Sequence, residues 1–150
     1  KLDNHLMHSI PLSYIERIKD LKNIKYITIH LEIEENIQNT LNKIKEYGFK
    51  RGISIKPNTD INKLIPYLND IDLILIMTVE PGQGGQPFLE NSPTRIKEIK
   101  NLIKDKNILL EVDGGINDKT IKLLKDVDIA VVGSYITTSD NMIEKVKTLV

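Results

Sequence analysis

An α/β fold built on a parallel sheet is what this sequence predicts, and three observations predict it. A short apolar run followed by an amphipathic stretch recurs six times, about 25 residues apart, the pattern of repeated strand–helix units. No linker or change of composition interrupts the series, so residues 1–150 read as one domain. A polar residue or a glycine closes nearly every run, at His5, His30, Lys56, Thr78, Asp113 and the pair Gly133 and Ser134. That end of a parallel strand is where α/β folds bind their ligands.

Residues 2–7 form the first expected strand. Pro11, pre-set for a first helical turn, opens a helix with an apolar stripe of Ile15, Ile18 and Leu21. The second strand is 26–30, and a helix over 34–47 follows, with Ile37, Leu41 and Ile44 at helical spacing and Gly48 as its stop. Residues 53–55 are a short third strand, closed by Lys56, Pro57 and Asn58. Asp60 caps a helix to Leu68 that Pro66 should kink or shorten. The most hydrophobic run, 73–77, is the fourth strand. A polar loop over 80–91 leads to Ser92 as cap and Pro93 as first residue of a helix to Lys104. Residues 108–112 are the fifth strand, and Asn117 or Asp118 caps a helix to Lys125. The sixth strand is 129–132, and Ser139 or Asp140 caps the last helix.

Strict alternation implies right-handed crossovers between parallel strands. Two architectures fit: an open doubly wound sheet, or a (βα)8 barrel. A doubly wound sheet uses the loops at one switch point, whereas a barrel gathers every strand end around one site. Features at six strand ends suit the barrel, although a barrel needs eight strands and six are counted.

Bulk properties remove several partners. Lys+Arg and Asp+Glu are both 21, so no basic face announces nucleic acid. Cysteine is absent, which excludes disulfides and thiolate metal sites and suits a reducing cytoplasm. No apolar run approaches the ~20 residues of a membrane span, and no signal peptide is visible, so no membrane partner is expected. The chain opens on Lys1 inside a strand-like run, and the expectation is that an N-terminal part precedes it.

The chemistry concentrates in a few places. In the stretch from Ile108 to Gly115, a buried strand delivers Asp113 to its C-terminal end beside Gly114 and Gly115. Glycines there let backbone N–H groups approach an anion, although an ordinary Asp-Gly turn has the same letters. The loop from Pro81 to Phe88 contains Gly82-x-Gly84, but Pro87 stands where a dinucleotide fingerprint needs glycine, and no helix opens at once. It also lacks the Lys-Ser/Thr of a P-loop. What remains is a glycine loop able to close over a strand end, or a plain surface loop. Gly133 and Ser134 with Gly114 and Gly115 make the last two strand ends rich in N–H groups, as in barrels that hold phosphate there. His5, between Asn4 and Leu6, reads either as a satisfied core histidine or as a metal ligand. His8 falls on a solvated loop, His30 lines a pocket, and Asp3 shares the face of His5 but lies deeper.

Taken together, His5-Leu6-Met7, the run Thr28 to Glu32, the run Ile76 to Phe88, the run Glu111 to Ile116, and Gly133-Ser134 resemble, in order and spacing, the ribulose-phosphate 3-epimerase family. The resemblance covers the chain from the family's third strand onward. It implies a TIM (βα)8 barrel, here six βα units with the first two missing. It implies metal-dependent interconversion of ribulose 5-phosphate and xylulose 5-phosphate by proton transfer at C3, a step of the pentose phosphate pathway. The implied cofactor is a divalent metal ion (Zn, Mn, Fe or Co), and the implied partner is a phosphorylated ketose. His5 and Asp113 resemble metal ligands, and Asp113 resembles one of two acid/base groups. With these two, Gly82, Gln83, Gly84, Gly85, Gly114, Gly115, Gly133 and Ser134 resemble the substrate and phosphate contacts, while Met7 and Met77 resemble site-lining methionines.

Gln83 departs from the family, which usually has an aromatic there, and His8 stands where an aliphatic residue is common. The family's strand-two His-x-Asp, the source of two more ligands and the second acid/base, has no counterpart, so residues 1–150 alone are expected to be inactive. An allulose-6-phosphate 3-epimerase with the same mechanism and a non-catalytic phosphosugar-binding or structural remnant are the competing readings. Assembly into a homo-oligomer is left open.

Overall fold

The computed structural model describes residues 2–150. Six strands form one sheet: β1 (Leu2–Leu6), β2 (Ile24–His30), β3 (Lys50–Ile55), β4 (Leu73–Met77), β5 (Leu109–Asp113) and β6 (Ile129–Val131). They lie in sequence order, and every neighbouring pair is parallel. A doubly wound sheet would reverse its order at a switch point. Sequential order instead makes each crossover step the same way, which lays the helices along one face and leaves the other concave. The helices are α1 (Leu12–Ile18), α2 (Ile37–Glu46), α3 (Ser92–Leu102), α4 (Ser134–Thr137) and α5 (Met142–Lys147), with 3-10 segments at Ile61–Tyr67 and Thr120–Leu123.

The period of two along each strand sorts the side chains. Ile27, Ile29, Ile53, Ile55, Ile74, Ile76, Leu110 and Val112 point to the helices and pack with Ile15, Leu41, Ile44, Ile96 and Ile99 in the main core. Full burial of such a side chain typically stabilises by about 1.5–3 kcal/mol. On the concave face Leu73, Leu75, Met77 and Val79 form a second cluster with Tyr26, Leu109 and Ile129. That face is polar on β1 to β3, where Asp3, His5, Thr28, His30 and Ser54 alternate with the apolar set.

Gly52 shows how tight this face is. It pairs with Thr28, whose hydroxyl donates to Asp3 Oδ1 at 3.0 Å. A Cβ on Gly52 would lie 2.9 Å from Thr28 Cβ. Gly52→Ala should therefore destabilise by about 1–3 kcal/mol, the usual range for overpacking. Urea unfolding measures it, and a loss under about 0.5 kcal/mol would show that Thr28 yields freely.

Helix ends depart from expectation for local reasons. The first helix stops at Ile18, so Leu21 lies beyond it and is exposed. Asn36, not residue 34, starts α2, because its side chain accepts from Asn39 N. Gly48 ends that helix as expected, with φ +84° and bonds from Gly48 N to Lys45 O and Phe49 N to Ile44 O. Asp60 caps its segment, accepting from Asn62 N at 2.9 Å, but the segment is 3-10, since Pro66 has no N–H for an α ladder. Ser92 lies inside α3 rather than capping it, because Ser92 N already bonds back to Leu89 O. Asn117 accepts from Lys119 N and Thr120 N, yet the expected helix to Lys125 shrinks to Thr120–Leu123. There Leu124 N bonds to Ile121 O in a tight turn that drops Leu124 into the core. Asn141, not Ser139 or Asp140, caps α5 by accepting from Glu144 N at 3.2 Å. The helical turn α4 was not expected; it begins directly at Ser134.

Candidate active site

The C-terminal strand ends share one rim. Asp113 is the last residue of β5 and lies beside Met77 of β4 and Val131 of β6. One cavity of about 280 Å³ opens there. Met7, Met77 and Asp113 reach it from strand ends, and Gly82, Gln83, Gly84 and Gly85 from the loop after β4. Gly114, Gly115, Gly133 and Ser134 complete it. His5 does not line this cavity. It stands one strand residue before Leu6, with Nε2 2.8 Å from Nε2 of His30. His30 lines an adjoining cavity of about 260 Å³ with His8, Glu32 and Lys56, and the two cavities share Met7, Pro81 and Gly82.

The glycine loop is anchored at its base. Thr78 donates its backbone N–H to Asp113 O at 2.8 Å and its hydroxyl to Gly114 O at 2.6 Å. Leu89 N returns to Thr78 O at 2.9 Å. Gln86 ties the neck, donating to Glu80 O and Gln83 O. Gly115 has φ +66°, and a Cβ there would lie 2.5 Å from Phe88 N. The Asp-Gly-Gly run thus owes part of its glycine to the packing of this loop, beyond any contact with an anion.

The acids of β5 are electrostatically unusual. Burial pushes the Asp113 carboxyl above its ordinary value. Glu111, two residues earlier on the same face, is only 3% exposed and its Oε2 has no partner among the described residues. Burial, a hydrogen bond to Asp3, and the charges of Asp3 and Asp113 push it up to about 8. Sequence reasoning passed over Glu111 as part of an apolar run; the period of two, which puts Leu109, Glu111 and Asp113 on one face, was the available signal. The sign of the pH effect follows. The folded state holds the Glu111 proton more tightly than the unfolded chain, so this contribution to stability is full below about pH 4.5 and fades as pH rises to about 8. The Tm measured by calorimetry should fall across that window, and Glu111→Gln should flatten the fall. An unchanged profile in the variant would assign the effect elsewhere.

Burial, with the neighbouring charge of His30, lowers His5 to about 4, so its imidazole is neutral and keeps a lone pair at neutral pH. An imidazole nitrogen and a carboxylate are a donor set that borderline divalent cations accept. Burial raises the half-buried Asp113 carboxyl, and a neighbouring cation would offset that cost. Among the described residues no group of three or more His, Cys, Asp or Glu converges, so His5 and Asp113 would supply at most part of a metal's ligand set.

Parallel βα units in sequence order, with their polar ends along one rim, define a barrel of the TIM type. Solved structures agree on the fold. 3-Keto-L-gulonate-6-phosphate decarboxylase from Vibrio cholerae superposes with a TM-score of 0.71 at 13% identity, over 99% of this chain and 69% of that one. KGPDC from Streptococcus mutans gives 0.70 at 13% identity, over 91% of this chain and 64% of that one. The Ribulose-phosphate 3 epimerase family matches residues 1–137, and the chain belongs to that family. Ribulose-phosphate 3-epimerase of Bacillus subtilis is 35% identical over 140 residues, 90% of this chain and 64% of that protein. The Helicobacter pylori (strain J99) protein of the same name is 41% identical over 142 residues, 92% of this chain and 65% of that protein. The chain therefore spans less than two thirds of the length of these relatives.

Proposed function

We propose that this chain carries the phosphosugar pocket and part of the metal site of a ribulose-phosphate 3-epimerase. The observation that carries the reading is the single cavity joining Asp113 to three glycine-bearing strand-end loops. The backbone N–H groups of Gly114, Gly115, Gly133 and Ser134 hold the phosphate, which fixes the substrate from its far end. Asp113 moves the C3 proton on one face of the sugar. Inversion needs a second acid/base on the opposite face, which the family resemblance places on the His-x-Asp strand. His5 and Asp113 would hold a divalent cation (Zn, Mn, Fe or Co), which supplies Lewis-acid stabilisation of negative charge on the substrate oxygens. Met7 and the buried Met77 line the reacting end, and the loop from Gly82 to Gly85 would close over it. Among the described residues no helix is long and apolar enough to cross a membrane. With no cysteine in the chain, a cytoplasmic place in the pentose phosphate pathway suits the reading.

The test uses the full-length protein with Mn²⁺ or Zn²⁺ and follows solvent exchange of the C3 proton in D₂O. Ribulose 5-phosphate should exchange far faster than allulose 6-phosphate. The reverse order would identify a hexulose-phosphate enzyme, and no exchange with either would overturn the epimerase reading.

A further inference from the structure

We infer that Gln86 is a positioning residue for substrate binding: its side-chain amide clamps the carbonyls of Glu80 and Gln83 and so presents the Gly84 N–H to the substrate's phosphate. Resting on the proposed phosphosugar pocket, this adds Gln86 to the glycines already assigned there.

The loop between β4 and α3 has little packing to hold its tip. Gly82 has φ +114° and Gly85 φ +75°, and a Cβ on Gly82, Gly84 or Gly85 would meet nothing within 4 Å. Glycines so placed are free in the unbound chain, and fixing them on a ligand costs entropy. Thr78 and Leu89 secure the two ends of the loop. Across its middle, Gln86 Nε2 donates to Glu80 O at 2.6 Å and to Gln83 O at 2.7 Å. Two carbonyl acceptors around one terminal atom make that atom the amide nitrogen, and both of its hydrogens are used. Gln86 is half-buried, whereas the residues from Gly82 to Gly85 are exposed.

What the clamp does follows from peptide geometry. A phosphate is attracted by N–H groups and repelled by carbonyl oxygens, so a loop binds it with N–H groups forward and carbonyls occupied. The Glu80 carbonyl precedes Pro81, so that peptide unit has no N–H and offers only an oxygen. Gln86 occupies it. The Gln83 carbonyl shares a trans peptide with the Gly84 N–H, and the two point opposite ways. Holding Gln83 O toward Gln86 therefore turns the Gly84 N–H away from the neck. Gly84 has neither a positive φ nor a close neighbour, so its missing side chain leaves that N–H open to approach. Glu80, Gln83, Gly84 and Gln86 line the same cavity as Asp113, Gly133 and Ser134. A loop ordered in advance by its own side chain spares part of the ordering cost when the substrate arrives.

The test uses the full-length protein and Gln86→Met, which keeps the length of the side chain and removes both donors. KM for ribulose 5-phosphate should rise about 10–100-fold, as the loss of two net hydrogen bonds implies. The proton-transfer groups are untouched, so kcat should change less than about threefold. A merely structural role would reduce the amount of folded enzyme, lowering apparent kcat and leaving KM alone. Gln86→Glu, isosteric but with an oxygen against both carbonyls, should weaken binding at least as much. In protein labelled with nitrogen-15 at glycine, inorganic phosphate should shift the Gly84 amide signal, and the variant should need correspondingly more phosphate. A Gln86→Met KM within about twofold of the unaltered protein would overturn the inference, and so would a Gly84 signal that phosphate does not move. Should both variants fail to fold, solvent exchange of the Gln86 side-chain amide decides the matter in the unaltered protein. Slowed exchange supports the clamp, and exchange at the rate of a free amide refutes it. Failure of the epimerase reading looks different: the unaltered protein exchanges no C3 proton, yet Gln86→Met still binds phosphate more weakly.

Discussion

Asp113→Asn in the full-length enzyme should cut kcat by about 10²–10⁴-fold, the usual contribution of a positioned proton-transfer group, and leave KM nearly unchanged. The variant is isosteric, so the cavity shared by Met77, Gly114 and Gly133 keeps its shape and the proposed phosphate contacts should survive. What disappears is a carboxylate able to take and return a proton. Stability should move the other way. Burial raises Asp113, so its ionised form is a cost to the fold at neutral pH, and the neutral amide removes that cost. Lower turnover with an equal or higher Tm is the expected pair, as when a site residue is kept at the expense of stability. Steady-state kinetics with ribulose 5-phosphate, paired with a thermal scan, tests both at once. Near-normal turnover would remove Asp113 from the proton-transfer step.

The sheet was legible because its signals are local and strong. Runs such as 73–77 have no polar residue to confuse their period, and each expected strand is present. Helix ends were less legible, because a cap depends on which of several Asn, Ser or Asp side chains turns toward a free N–H. Asn141 won over Ser139 and Asp140 on that geometry alone. Of the residues expected at strand ends, Met7, Met77, Asp113 and the glycines line one cavity, whereas His5 does not. Residues whose importance lies in a partner were not legible. Glu111 gains its character from burial and from Asp3, more than a hundred positions away. Glu32 meets Thr59 only once β2 and β3 are paired. Tertiary contact of this kind leaves no periodic trace in the sequence.

A polypeptide confined to residues 1–150 should show no measurable epimerase turnover. Two defects lead there independently. His5 and Asp113 are the donors it is proposed to offer a cation, and no group of three or more His, Cys, Asp or Glu placed to hold a metal is found among the described residues. Two protein ligands hold a divalent ion weakly in water, and Asp113 alone can serve only one face of the sugar. The second defect is structural. β1 and β6 are the two ends of the sheet order, each with a strand partner on one side only. Unpaired edges of that kind invite pairing with other chains. Apolar side chains lie exposed at the same ends, Leu2 on β1, Val131 on β6, and Ile143 on α5 at 71%. Such a polypeptide should associate through these edges or require a complementing βα segment supplied in trans. Size-exclusion chromatography reads the first outcome, and exchange of the C3 proton of ribulose 5-phosphate in D₂O with added Mn²⁺ reads the activity. Turnover close to that of the full-length protein would show that this rim suffices by itself, and that a second acid/base lies among residues 1–150.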